Sequence, residues 1–174
     1  IIAVSFVARR RHTFGDRARH RAGGVAPPTL SPMSSEPLPF DVDAVNAMLR
    51  REFPGIGTVC AELGEGYAVA ARDISAADIR PGGFISGAVQ FGVIDAALWF
   101  LAFVGLRRIE PMAMTSELSI RYLRPAQGAR LYCRADLESV SRRSVVGTAH
   151  VWCDDRSGKV TSTAQGTYAI PLDR

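Results

Sequence analysis

The chain has 174 residues, 47% of them hydrophobic, which is enough for one domain with a substantial core and too apolar for general disorder. Its formal charge of +4 is concentrated at one end: residues 1–32 hold Arg9, Arg10, Arg11, Arg17, Arg19 and Arg21 against Asp16, so they carry +5 and leave −1 for the rest. The remainder is near neutral and has no basic footprint for nucleic acid or an anionic membrane. Residues 1–39 read as a disordered leader that runs through RRRHTFGDRARHR and the Gly/Pro-rich GGVAPPTLSP. In a secretory signal the basic residues precede the apolar run, and here they follow it. Arginine-rich, acid-poor composition overlaps with organellar transit peptides, but an extended start upstream of Met33 is the preferred reading.

The domain is expected over residues 40–174. From Asp41, a candidate N-cap, the spacing of Val42, Val45, Met48 and Leu49 predicts a short amphipathic helix that Pro54 and Gly55 stop. The runs TVCAEL and YAVAARDIS, separated by Gly64 and Gly66, predict a hairpin. Neither strand is followed by GxGxxG, so the glycines here are turn residues. After the turn signal RPGG, residues 84–106 are apolar apart from Ser86, Gln90 and Asp95. A membrane span of that length would put Asp95 near mid-bilayer at about 2.5–3.5 kcal/mol, so a helix enclosed by its own protein, capped by Ser86, is preferred. Four strand-like stretches follow, MAMTSELSIRYL, ARLYCRADLESV, SVVGTAHVWCD and KVTSTAQGTYAI, joined by the turn-rich RPAQG, SRR and DRSG. In the third, Val145, Ala149, Val151 and Cys153 share a face opposite His150 and Trp152. The order predicts an α+β domain, an antiparallel sheet wrapped around one long helix at about residues 86–105.

Cys60, Cys133 and Cys153 have neither CxxC nor Cys/His spacing, which argues against a zinc site or a disulfide framework and suits a reducing, cytoplasmic compartment. His150 is the only histidine beyond the leader, so histidine-based catalysis has almost no raw material. Asp95 is the only ionisable side chain between Arg80 and Arg107. A buried carboxylate must shift its protonation or find a partner, which makes Asp95 either a catalytic group or a helix residue bonded to a neighbouring chain. Gly87 opens the helix, where unpaired amides and the dipole can polarise a carbonyl and where a residue without a side chain admits a substrate; alternatively it only eases the turn. Ser86 either caps the helix or bonds a substrate carbonyl.

The segments RPGGFISGAVQFGVIDAA and LSIRYLRPA, in this order of elements, resemble the PaaI-like branch of the hotdog-fold thioesterases over roughly Val42 to Pro171. In that family a His-Gly-Gly loop opens the central helix and an acidic residue lies eight positions after the first glycine, the spacing of Gly87 and Asp95. Ser86 stands at the histidine position and Ala88 at the second glycine. Hotdog dehydratases share the architecture but depend on a histidine absent near this helix. The resemblance implies an acyl-CoA thioesterase without a cofactor, working as a homodimer or homotetramer with its site between subunits. In it Asp95 acts as general base or nucleophile, Thr115 and Ser116 approach a partner subunit's Asp95, and Arg124, Arg142 and Arg143 meet the phosphates of CoA unless they are only solvated surface groups. The acyl group is expected to be small, medium or aromatic. Two other classes of function are a non-catalytic acyl-CoA binding or sensing protein and nucleic-acid binding through the leader.

Overall fold

A computed structural model describes residues 36–156 and 158–171, so the expectation of disorder over residues 1–39 lies, for residues 1–35, outside the described residues. Helix α1 spans Val42–Glu52; Asp41 caps it by accepting from the Ala44 amide at 2.8 Å, and Val45, Met48 and Leu49 are buried. Asn46 exchanges two hydrogen bonds with the Cys60 backbone, both 2.9 Å, and so ties α1 to strand β1, Thr58–Gly64. Strand β2, Tyr67–Asp73, returns beside β1. The RPGG signal is the turn of a short hairpin, β3 Ile79–Arg80 and β4 Phe84–Ile85, where Gly82 and Gly83 take φ of 97° and 78°. This hairpin follows a 3-10 turn at Ala76–Asp78, and neither was expected from the sequence.

Helix α2, Gly87–Leu106, comes next, followed by β5 Met114–Tyr122, β6 Arg130–Val140, β7 Ser144–Cys153 and β8 Ser162–Ala169. The sheet order is β1-β2-β6-β7-β8-β5 with antiparallel pairing throughout, so β5 crosses to the far edge and pairs only with β8. Alternation sends Leu131, Cys133, Ala135, Val145, Ala149 and Val151 inward against α2. The paired Gly147 and Gly166 lie under the helix: a Cβ would meet Leu101 at 2.4 Å on the first and Leu98 at 2.7 Å on the second, so two residues without side chains let α2 settle on the sheet. His150 is exposed on the outer face, where Trp152 is covered by stacking on Tyr132.

By length and composition α2 is apolar enough to cross a membrane, yet from Val93 to Val104 only Asp95 escapes full burial. A helix without a polar face is stable here because a sheet wraps it. Its first two turns differ: Ala88, Phe91 and Gly92 form an exposed stripe leading to Asp95. Leu38 and Phe40 already pack against the core, so order extends a few residues ahead of α1.

Candidate active site

The N-terminus of α2 is fixed from several sides. Ser86 accepts the Val89 amide on its hydroxyl at 3.3 Å and the Gln90 amide on its carbonyl at 3.2 Å. Its own amide donates to the Asp78 carbonyl at 2.9 Å. The two amides left over, of Gly87 and Ala88, have no acceptor among the described residues and add to the positive end of the helix dipole. Ser86 is therefore the N-cap of α2. Gly87 has a steric reason as well: a Cβ there would lie 3.1 Å from the Tyr122 hydroxyl, which donates to the Gly87 carbonyl at 2.9 Å. Gln90 is buried and accepts from Thr161 at 3.3 Å and Ser162 at 3.1 Å, locking this end of the helix to β8.

Asp78 anchors the same corner. Arg72 bonds its Oδ1 at 3.0 Å, while the Ser75 amide and hydroxyl bond Oδ2 at 2.9 and 2.8 Å. The Ser75 donors first, and Arg72 after them, hold the Asp78 carboxyl below the usual carboxylate range against the opposing cost of burial. Arg72 also donates to the Ile56 carbonyl at 3.2 Å, so one part-buried ion pair links the loop after α1 to the start of α2.

Asp95 is half-buried two turns further on, about 12 Å along the axis from Gly87 at 1.5 Å per residue. Its Oδ1 accepts from Thr115 at 2.6 Å and from Tyr168 at 2.7 Å; the Tyr168 hydroxyl also lies 2.9 Å from the Asp95 carbonyl. Oδ2 has no partner among the described residues. Burial, then the Asp95 charge, push the Tyr168 hydroxyl well above its ordinary range, so it remains a donor at physiological pH. Beside Asp95 lies a cavity of about 390 Å³ walled by Phe53, Ile56, Trp99, Pro111 and Met114. A second cavity, about 540 Å³, opens at the N-terminus of α2 between Arg80 and Arg124, with Gly87 and Tyr122 on its wall.

Thr115 thus meets Asp95 of its own chain, whereas the expectation drew both Thr115 and Ser116 toward a partner's. Ser116 bonds the Thr167 carbonyl at 3.1 Å instead, because a bulge between Thr115 and Glu117 turns it aside. Arg142 and Arg143 occupy the β6–β7 turn beside the other end of α2, where Val140 and Val145 flank Gly105. The chain therefore separates them from Arg124 by nearly the length of the helix, about 30 Å. Tyr168, Tyr122 and Arg80 were not singled out in the sequence. Tyr168 was legible in principle: Ser162, Ala164, Gly166 and Tyr168 alternate onto one face, and a phenol on a core face needs a polar partner. Among the described residues no cluster of His, Cys, Asp and Glu is placed to hold a metal ion.

Residues 82–159 match the model of the thioesterase superfamily. No match to the chain was found among curated protein sequences. Among solved structures, a putative thioesterase from Silicibacter sp. is 24% identical with a TM-score of 0.67, over 78% of this chain and 95% of that one. A conserved protein from Pseudomonas aeruginosa is 25% identical with a TM-score of 0.58, over 66% and 88%. The E. coli PaaI protein from the phenylacetic acid degradation operon is 18% identical with a TM-score of 0.60, over 73% and 91%. The chain is thus a hotdog-fold protein that carries the thioesterase-superfamily pattern across residues 82–159, from the turn before α2 to just past β7.

Proposed function

We propose that the protein hydrolyses acyl-CoA thioesters at a site built by two copies of the chain. The observation that carries this is Asp95: a carboxylate with one oxygen held by Thr115 and Tyr168 and the other unpartnered among the described residues, beside a cavity walled largely by apolar side chains, on a helix whose first turn leaves two amides open among those residues. The superfamily match over residues 82–159 supports thioester chemistry. Within one chain, about 12 Å of helix separates the amides from the carboxylate, too far for both to act on one carbonyl. Two α2 helices running antiparallel bring the amides of one to Asp95 of the other. The exposed stripe of Ala88, Phe91 and Gly92, and the open edge of β5, are the surfaces that such a dimer would cover. The same reversal carries Arg142 and Arg143 of one copy toward Arg124 and Arg80 of the other, making a basic rim for the phosphates of CoA.

In this arrangement Asp95 removes a proton from water through Oδ2, and the hydroxide adds to the thioester carbon. The amides of Gly87 and Ala88 take up the charge that develops on oxygen. Collapse breaks the C–S bond, and the proton held by Asp95 leaves with the CoA thiolate. In the alternative route Asp95 attacks the thioester carbon, the C–S bond breaks and the CoA thiolate leaves to take a proton from solvent; water then attacks the Asp95 carboxyl carbon of the resulting anhydride, which frees the acid and carries water-derived oxygen into Asp95. The cavity beside Asp95, with Phe53 and Trp99 in its wall, suits a small, medium or aromatic acyl group. A cytoplasmic location is part of this reading; the free thiols of Cys60 and Cys133 are buried, which pushes Cys60 up to about 12 and raises Cys133 as well.

The test is hydrolysis of short, medium, long and aromatic acyl-CoAs with detection of free thiol, with Asp95→Asn alongside. Turnover by the wild type and a loss of about 100-fold or more in the folded variant, with CoA binding retained, are expected. A folded wild type that binds acyl-CoA and cleaves none of them would make the protein a binding or sensing module.

A further inference from the structure

Tyr122 stands at the edge of the sheet, half exposed, yet its hydroxyl is committed to the Gly87 carbonyl at 2.9 Å. The carbonyl already serves the helix, since it lies four residues before the Phe91 amide. A peptide carbonyl that accepts a second hydrogen bond becomes more polarised, and its own N–H becomes a better donor. The N–H of this peptide is that of Ala88, one of the two first-turn amides without an acceptor among the described residues. Gly87 permits the arrangement, because a Cβ would lie 3.1 Å from the hydroxyl and 3.2 Å from the ring carbon that bears it. Tyr122 also lines the cavity that holds Arg80 and Arg124, so it sits where a substrate would enter.

We propose that Tyr122 is a positioning residue for thioester hydrolysis: its hydroxyl fixes and polarises the Gly87–Ala88 peptide so that the Ala88 amide meets the thioester oxygen as charge develops on it. This rests on the hydrolase reading above. Tyr122 exchanges no proton with the substrate; it acts through the peptide.

The test compares wild type, Tyr122→Phe and a protein carrying ring-fluorinated tyrosine at position 122, on the acyl-CoA that the wild type cleaves fastest, with thermal unfolding of each. Tyr122→Phe should lower kcat about 10-fold, less than loss of an oxyanion donor itself, and leave KM within about twofold. Its melting temperature should stay close to that of the wild type, because the Tyr122 side chain is half exposed and the Gly87 carbonyl keeps its hydrogen bond within the helix, so no buried group is left unpaired. Fluorination makes the phenol a stronger donor and should hold kcat at or above the wild-type value. A Tyr122→Phe kcat within about twofold of wild type would overturn the proposal. So would a loss accompanied by a lower melting temperature and a raised KM, which marks a merely structural contact. An inactive wild type removes the hydrolase reading and this one with it, whereas an active wild type indifferent to Tyr122→Phe removes this one alone.

Discussion

At the scale of single residues, the grip on Asp95 is the feature from which the proposed chemistry follows. Tyr168 is 4% exposed and Thr115 is on the surface, so Oδ1 is held from the core side and from the solvent side while Oδ2 has no partner among the described residues. Removing the buried grip alone by Tyr168→Phe should cost about 1–2 kcal/mol of stability, read from chemical denaturation, since the phenol gives up a hydrogen bond to a charged group. The same variant should reduce kcat about 10-fold by freeing the carboxylate to rotate, as steady-state kinetics would show. Unchanged stability and turnover would mean that Thr115 alone orients Asp95. From the sequence, Asp95 was identifiable as an isolated acid in an apolar helix. Of its partners, Thr115 was named but set against the Asp95 of a second copy, and Tyr168, 73 positions away, was not singled out.

At the scale of elements, α2 is positioned by its surroundings at both ends. Arg107 closes the helix in the left-handed conformation, φ 55°, and its guanidinium holds the carbonyls of Glu36 and Pro37 at 3.1 and 2.6 Å. At the start, the Arg72–Asp78 pair holds the hairpin from which Ser86 hangs. Because the folded state holds the Asp78 carboxyl below its ordinary value, the group stabilises the fold above the unfolded carboxylate range, near pH 4, and that contribution fades as pH falls below it. Asp78→Asn should therefore lower stability by about 1–3 kcal/mol at neutral pH, and the gap in melting temperature should narrow below about pH 4. A gap independent of pH would show that charge at Asp78 is not what holds the corner. Element order and the central helix were legible because each strand and helix carries its own periodicity and turn chemistry. The β3–β4 hairpin was read only as a turn, since two-residue strands have no period to detect. Gly147 and Gly166 likewise look like strand interruptions until the helix is laid over them.

At the scale of the whole molecule, the described chain exposes a set of large apolar side chains near α2 and β5. Phe91 on α2, Met112, Met114, Tyr122 and Leu123 on and beside the edge strand are each at least 43% exposed, and the proposed dimer would cover them. The central claim, a hydrolytic site shared by two copies, is tested most directly by complementation. Asp95→Asn and Gly87→Val are each made alone and then co-expressed in equal amounts, and thioester hydrolysis is measured in each preparation. Each variant alone should be nearly inactive, while the mixture should recover about a quarter of the wild-type rate, because half of the dimers are mixed and each of these has one intact site. A mixture as inactive as its parents, from dimers shown to exchange chains, would contradict a site in which Gly87 of one copy serves Asp95 of the other.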